Sequence, residues 1–277
     1  EIANNLNPND PGDAAQDPDG DGLSNLEEMI RGRNPHGSDD SYTPPTREPL
    51  PSVSGTIAGY TAGNFSVSDS GVASYSIPIA VSPGTGGMEP KISLNYNSRG
   101  GNGIVGVGWS VGGLSSISRC PTTHAQDGFV NGIDFDANDK LSLDGQRLIA
   151  INGTYGANGA EYRTEIESFS KIIGYNNFNG SGSYFKVWTK DGLIYEYGNT
   201  ADSRIEAQGK TIPLTWNANK ISDTKGNYFT ISYEEFNANG ESYPTRIDYT
   251  GNSAGLFPYN SVRFVYEDRA DNLNQYI

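Results

Sequence analysis

Phe185-Lys186-Val187-Trp188-Thr189-Lys190-Asp191-Gly192-Leu193-Ile194-Tyr195-Glu196-Tyr197 is the stretch that decides the fold. Phe185 and Val187 alternate with polar neighbours, and Ile194, Tyr195 and Tyr197 form a second run beyond Asp191-Gly192. Period two marks half-buried strands. Asp before Gly suits the positive φ angles of a tight hairpin turn. The reading is therefore strand, turn, strand. The same pattern extends outward: Tyr75, Ile77 and Ile79; Ile92, Leu94 and Tyr96; Phe229, Ile231 and Tyr233; Ile247 and Tyr249; Val262, Phe264 and Tyr266. Between such runs lie Asp127-Gly128, Asn131-Gly132, Asp144-Gly145, Asn152-Gly153, Asn158-Gly159, Asn179-Gly180 and Asn239-Gly240. Repeated turn signals favour antiparallel meanders over parallel βαβ units, and no long amphipathic helix follows residue 53. The fold class read here is all-β, an antiparallel β-hairpin meander preceded by a short helical segment.

Composition agrees. The chain has 35 Gly and 15 Pro, above average usage and fit for many turns. Its 17 Tyr exclude a disordered chain. A net charge of −14 argues against nucleic acid, which wants a basic stripe, and against anionic lipid, and it suits cations. One Cys excludes an internal disulfide and a zinc ribbon. No stretch is apolar and long enough for a transmembrane helix. No signal peptide begins at Glu1, so the chain reads as mature or as a piece of something longer.

The organisation falls into three parts. Leu23, Leu26, Met29 and Ile30 share one helical face within residues 14–34, and Asn34-Pro35 ends that helix. Residues 36–52 are rich in Pro and Ser and read as a linker. The β region runs over 53–277.

Residues 1–35 contain the strongest motif, Asp17-Pro18-Asp19-Gly20-Asp21-Gly22-Leu23-Ser24-Asn25-Leu26-Glu27-Glu28. With Asp17 at loop position one, carboxylates occupy positions one, three and five, Gly22 position six, Asn25 nine and Glu28 twelve. This is the spacing of a calcium loop, because a hard cation takes six to eight oxygens from converging side chains. The expected ligands are Asp17, Asp19, Asp21, the carbonyl of Leu23, Asn25 and Glu28, with Ca2+ as the bound ion; Glu27 misses the twelfth position. Together with Arg33-Asn34-Pro35, the run resembles bacterial thrombospondin type-3-like repeats, which implies a metal-stiffened extracellular spacer.

The β region carries a second resemblance. Gly71 to Ile79, Pro83 to Ser98, the Gly-rich run Gly103 to Leu114 around Trp109, Leu143-Asp144-Gly145-Gln146-Arg147-Leu148, Tyr162-Arg163-Thr164-Glu165, Gly192 to Gly198 and Asp223 to Asn227 follow one another in this order. The series, from about Val53 to Asp271, resembles the SpvB-type N-terminal domain of Salmonella virulence proteins and of Tc insecticidal toxin B components. That resemblance implies a non-enzymatic part of a larger β shell, continued by Rhs/YD-type repeats and enclosing a C-terminal effector. It implies secretion or an extracellular setting, the downstream shell, the enclosed effector and other toxin-complex subunits as partners, and an ADP-ribosyltransferase, where present, as a separate C-terminal part. Trp109 is expected to be a buried anchor.

Catalytic patterns are thin. Cys120 and His124 stand four apart, but the intervening Pro121-Thr122-Thr123 turn spoils a nucleophile–base dyad. Glu165 and Glu167 at i, i+2, with Asp191 or Asp223, could imitate a glycosidase pair. Trp188, Tyr195, Tyr197 and Trp216 could stack on sugars, yet alternating aromatics in a meander usually fill a core or pair across strands. No catalytic residue is expected. The rival readings are a calcium-stiffened surface adhesin or filament component, marked by tandem sandwich modules downstream, and a glycan-acting enzyme.

Overall fold

The computed structural model describes residues 61–238 and 240–267, together with Asp13, Gln16, Pro18, Ser24 and Asn25. The chain divides into two units, Glu1–Thr61 and Ala62–Ile277. The helix expected over 14–34 and the linker expected over 36–52 lie outside the described residues, apart from Gln16, Pro18, Ser24 and Asn25.

The second unit opens with a small antiparallel sheet in the order β1 (Asn64–Val67), β2 (Ala73–Pro78), β3 (Ser93–Asn97), β6 (Trp109–Gly112). A two-strand ribbon, β4 (Asn102–Gly103) with β5 (Gly106–Val107), sits inside the β3–β6 connection. The small sheet is two-faced. Phe65, Tyr75, Tyr96 and Trp109 lie in register across its four strands, while Ser76, Asn95 and Ser110 share the opposite face. Trp109 packs its ring 5.3 Å from that of Tyr96 but is only half-buried. The expected buried anchor is instead Trp216, with no exposed surface.

The remaining strands build the main body. They are β7 (Ser116–Cys120), β8 (Lys140–Leu143), β9 (Gln146–Asn152), β10 (Glu161–Thr164), β11 (Lys171–Tyr175), β12 (Tyr184–Trp188), β13 (Ile194–Tyr197), β14 (Arg204–Glu206) and β15 (Pro213–Ser222). A four-residue helix, α1 (His124–Asp127), follows β7. From β7 to β13 each strand pairs with the next. β15 then pairs with β7 through Trp216↔Ile117 and with β13 through Tyr195↔Ile221. The ring β7-β8-β9-β10-β11-β12-β13-β15 is closed, so these strands form a barrel without a free edge. β14 extends the β13 side along the first half of β15.

β12 and β13 are the two runs read from the sequence, and their alternation is the barrel's inside and outside. Phe185, Val187 and Tyr197 point into the core with Ile117, Leu141, Leu148, Tyr162, Ile172 and Trp216. A barrel of this strand number has an interior just wide enough for side chains to fill it. Edge-on aromatic contacts link Phe185 to Trp216 and Tyr162 to Tyr155. Outside, one cross-strand row runs Glu161, Ile173, Lys186, Glu196, Lys220, Thr230 and Asp248. Opposite charges stand directly across from each other at Lys186, Glu196 and Lys220, which favours this register.

β16 (Asn227–Phe236) leaves β15 after Thr230 and continues with β17 (Glu241–Asn252) and β18 (Asn260–Arg263) as a three-stranded wing. Ile231, Tyr233 and Ile247 bury the wing's inner face in the common core. Of the turn dipeptides, Asp144-Gly145, with φ of 48° and 80°, closes β8 onto β9, and Asp191-Gly192 closes β12 onto β13. Asp127-Gly128 instead ends α1, with Gly128 in the left-handed region.

Candidate functional site

Most of the expected metal loop, Asp17, Asp19, Asp21, Leu23 and Glu28, lies outside the described residues. Asn25 does not. It is buried, its backbone N–H donates to the Gln16 carbonyl at 2.8 Å, and its Nδ2 donates to the Asp13 carbonyl at 2.7 Å. Its Oδ1 is buried and accepts no hydrogen bond.

Within the barrel, Arg119 of β7 points inward and is wholly removed from water with its partner Asp139, at 2.9 Å. Three further donors are spent on the Pro213 carbonyl (2.8 Å), the Phe178 carbonyl (2.8 Å) and Asn179 Oδ1 (2.9 Å). Asp139 also accepts the backbone N–H groups of Asp134 and Phe135. The guanidinium lies 4.5 Å from the Phe178 ring centre. Burial pulls its pKa below the ordinary value, and Asp139 opposes that shift. A buried charge with a carboxylate partner and four of its five N–H groups matched is a rigid fastener.

The motif Leu143 to Leu148 supplies a second fastener. Asp144 accepts Ser115 Oγ at 2.7 Å and the Ser116 N–H at 2.9 Å. Arg147 grips Asp127 of α1 through two 2.7 Å bonds and donates to the Pro121 carbonyl at 3.1 Å. In Tyr162 to Glu165, the Tyr162 hydroxyl accepts the Gly156 N–H, Arg163 donates to the Ser170 carbonyl, and Glu165 accepts Gln126 Nε2. These motif residues each bind another part of the same fold.

The catalytic patterns do not assemble. Cys120 Sγ lies 3.8 Å from Arg147 Nη1, and burial pushes the thiol pKa up, away from a reactive thiolate. His124 begins α1, where its carbonyl accepts the Gly128 N–H. Glu165 and Glu167 are not on one strand face: β10 ends at Thr164, and Glu167 turns back to accept the Phe169 N–H. Asp191 and Asp223 sit in separate hairpin turns, Asp223 accepting the N–H groups of Lys225 and Asn227. Trp216 is buried with its Nε1 on the Ser183 carbonyl, and Tyr195 and Tyr197 stack on each other at 6.0 Å.

One acidic pair was not legible in the sequence. The Glu206 N–H of β14 donates to Glu235 Oε1 of β16 at 3.3 Å, and the two carboxyl groups face each other. Burial, then the Glu206 carboxyl, push Glu235 up to about 7, and Asp202 adds to the shift. Asp202 itself accepts the Tyr233 N–H at 2.8 Å. These residues are brought together only where the wing crosses the barrel, so no local spacing announces them.

The family model described as SpvB, Salmonella virulence plasmid 65kDa B protein, matches residues 67–255. The mono(ADP-ribosyl)transferase SpvB of Salmonella typhimurium (strain 14028s / SGSC 2262) is 25% identical over 201 residues, which cover 67% of this chain and 32% of that protein. The chain thus spans about a third of the length of the curated relatives it matches. Among solved structures, TcdB2-TccC3-TEV superimposes with a TM-score of 0.60 at 21% identity, over 82% of this chain and 12% of that one. The N-terminal domain of effector protein SpvB from Salmonella typhimurium strain LT2 gives a TM-score of 0.50 at 22% identity, over 64% of each chain. At these identities the structural likeness is one of fold.

Proposed function

The chain belongs to the SpvB family, and from that membership we propose that its β region is a non-enzymatic scaffold of a secreted toxin, part of a β shell around a C-terminal effector. The observation that carries this reading is the solid, edgeless barrel. Its interior is filled by Trp216, Phe185 and Tyr162, and its charged residues Arg119 and Arg147 hold the fold together. Such a unit supplies a stiff, water-excluding wall. The fold likeness to a Tc-toxin chain, of which this unit corresponds to 12%, supports a part within a larger assembly. Other subunits of a toxin complex are the partners this reading implies. The relatives' named activity, mono(ADP-ribosyl)transfer, we assign to sequence outside the matched region.

Limited proteolysis of the full natural polypeptide tests the shell. A C-terminal segment protected until denaturation is the expected outcome. Ready digestion of that segment beside an intact β region would remove enclosure and favour the adhesin reading.

We further infer that residues 17–28 hold Ca2+ and stiffen a spacer. The support is Asn25: a buried Oδ1 with no donor suits a hard cation that binds only oxygen. Asp17, Asp19, Asp21, the Leu23 carbonyl and Glu28 would complete the site, and the ion would supply structural cross-linking. Isothermal titration with Ca2+ should give a dissociation constant of roughly 0.1–1 mM, the range of extracellular modules. Asp19→Ala combined with Glu28→Gln should abolish the heat of binding; unchanged binding would rule this loop out.

A further inference from the structure

The chain contains six Asn-Gly steps, at Asn102, Asn131, Asn152, Asn158, Asn179 and Asn239. In such a step the Gly nitrogen can turn back on the preceding side-chain amide, because no Cβ hinders the approach. All but Asn239 lie within the described residues, and the fold treats those five unequally.

Asn152-Gly153 and Asn158-Gly159 make the informative pair. All four residues are exposed, and the two Gly φ angles are +78° and +80°. Exposure and Gly conformation are therefore matched, but hydrogen bonding is not. The Gly159 N–H donates to the Gly174 carbonyl at 2.8 Å, and Asn158 Oδ1 accepts the Asn176 N–H at 2.8 Å. Both reacting groups are tied. The Asn152 side chain and the Gly153 N–H have no hydrogen-bond partner among the described residues. The other steps are also restrained. At Asn179 the side-chain oxygen accepts Arg119 Nη2 at 2.9 Å, and the Gly180 N–H donates to the Asn177 carbonyl at 2.7 Å. Asn131 is half-buried; its N–H donates to Thr122 Oγ1 and its carbonyl accepts the Thr122 N–H. Asn102 and Gly103 pair with Val107 and Gly106 in the β4–β5 ribbon.

We propose that Asn152 is the site where this fold deamidates spontaneously. The Gly153 nitrogen attacks Asn152 Cγ, the Cγ–Nδ2 bond breaks, and Nδ2 leaves as ammonia with the proton from Gly153. Water then opens the cyclic imide at one of its two carbonyls, leaving aspartate or isoaspartate. The sum is amide plus water to acid plus ammonia, with no change of oxidation state. The new carboxylate stands across from Glu161 in the β9–β10 register, and like charges directly opposite are destabilising. Isoaspartate also adds a methylene to the main chain at the end of β9. The site is independent of the shell reading and of the calcium loop.

Peptide mapping by mass spectrometry tests it, on the full chain aged at mildly alkaline pH, with aspartate and isoaspartate counted at each step. Freeing a hydrogen-bonded group costs a factor of up to about ten in population. Asn152 is therefore expected to convert at least about tenfold faster than Asn158, where two bonds must break, and faster than Asn102, Asn131 and Asn179. The same chain aged in urea should convert at all these steps at comparable rates, because each is followed by Gly. Equal conversion at Asn152 and Asn158 in the folded chain would overturn the proposal. So would an intact Asn152 after another step has reacted, or a lead for Asn152 that persists in urea, which would trace it to neighbouring sequence instead of the fold.

Discussion

Asp139 is the counter-charge of a guanidinium that has no contact with solvent. Removing it by Asp139→Ala would strand Arg119 in the barrel and release the N–H groups of Asp134 and Phe135. The expected loss is about 3–5 kcal/mol, the range for breaking one half of a buried pair, read from the urea midpoint. A loss below 1 kcal/mol would mean that water reaches the guanidinium. Gly198 is a second single-residue dependence. Its φ is +70°, and a Cβ there would stand 2.3 Å from Trp216 Cδ1. Gly198→Ala combines a left-handed backbone with a clash against the central tryptophan, so about 2–4 kcal/mol of destabilisation is expected. Chemical denaturation followed by tryptophan fluorescence measures it.

Between elements, the wing meets the barrel through carboxyl groups, and that contact responds to pH. Glu235 titrates near 7 in the folded chain because burial and Glu206 disfavour its ionised form, whereas an unfolded Glu titrates near 4.3. The folded state therefore binds the proton more tightly. This contribution is fully present below about pH 4 and is lost as pH rises through 7. Glu235→Gln keeps a neutral group at that place. It should leave Tm unchanged at pH 5 and raise it by about 2–4 °C at pH 8, the shift for about 1 kcal/mol in a domain of this size, because solvent screening of this half-exposed carboxyl leaves only a fraction of the full pKa linkage. An equal Tm difference at both pH values would show that the pair does not titrate in this window. In the outer row, by contrast, Lys186 Nζ lies 3.0 Å from Glu196 Oε1, with Lys220 directly across from Glu196 on its other side. Opposite charges directly across neighbouring strands favour this register over a slipped one.

At the scale of the whole molecule, the loop over residues 17–28 proposed to bind calcium and the barrel are expected to be independent in stability. The barrel carries its own core and closes on itself through β7 and β15. Chelation of calcium should therefore leave the barrel's urea midpoint unchanged while exposing residues 14–34 to protease. A parallel fall of the midpoint would show that the loop supports the barrel and that the boundary read near residue 52 is misplaced.

Alternation at Phe185, Val187 and Tyr197 was enough to recognise strands and to tell inside from outside, because a pleated strand reverses its side chains at every residue. Asp144-Gly145, with both φ positive, named a two-residue hairpin turn, whereas Asp191-Gly192 marks its hairpin through Gly192 alone, in a three-residue loop between Thr189 and Leu193. The spacing proposed to hold calcium, Asp17 to Glu28, also lies within twelve consecutive residues, so it can be read locally. Pairings between distant segments were not legible. Nothing near Ile117 announces Trp216 as its partner, and closure of the barrel rests on that pairing. No local pattern singles out Arg119, which folding encloses with Asp139, and Trp109 read as the anchor that Trp216 turned out to be. Glu206 and Glu235 likewise meet only across the wing. Local patterns are written by backbone geometry over a few residues, whereas closure, buried charge and shifted acidity arise from the summed packing of segments far apart in the chain, which tertiary structure alone decides.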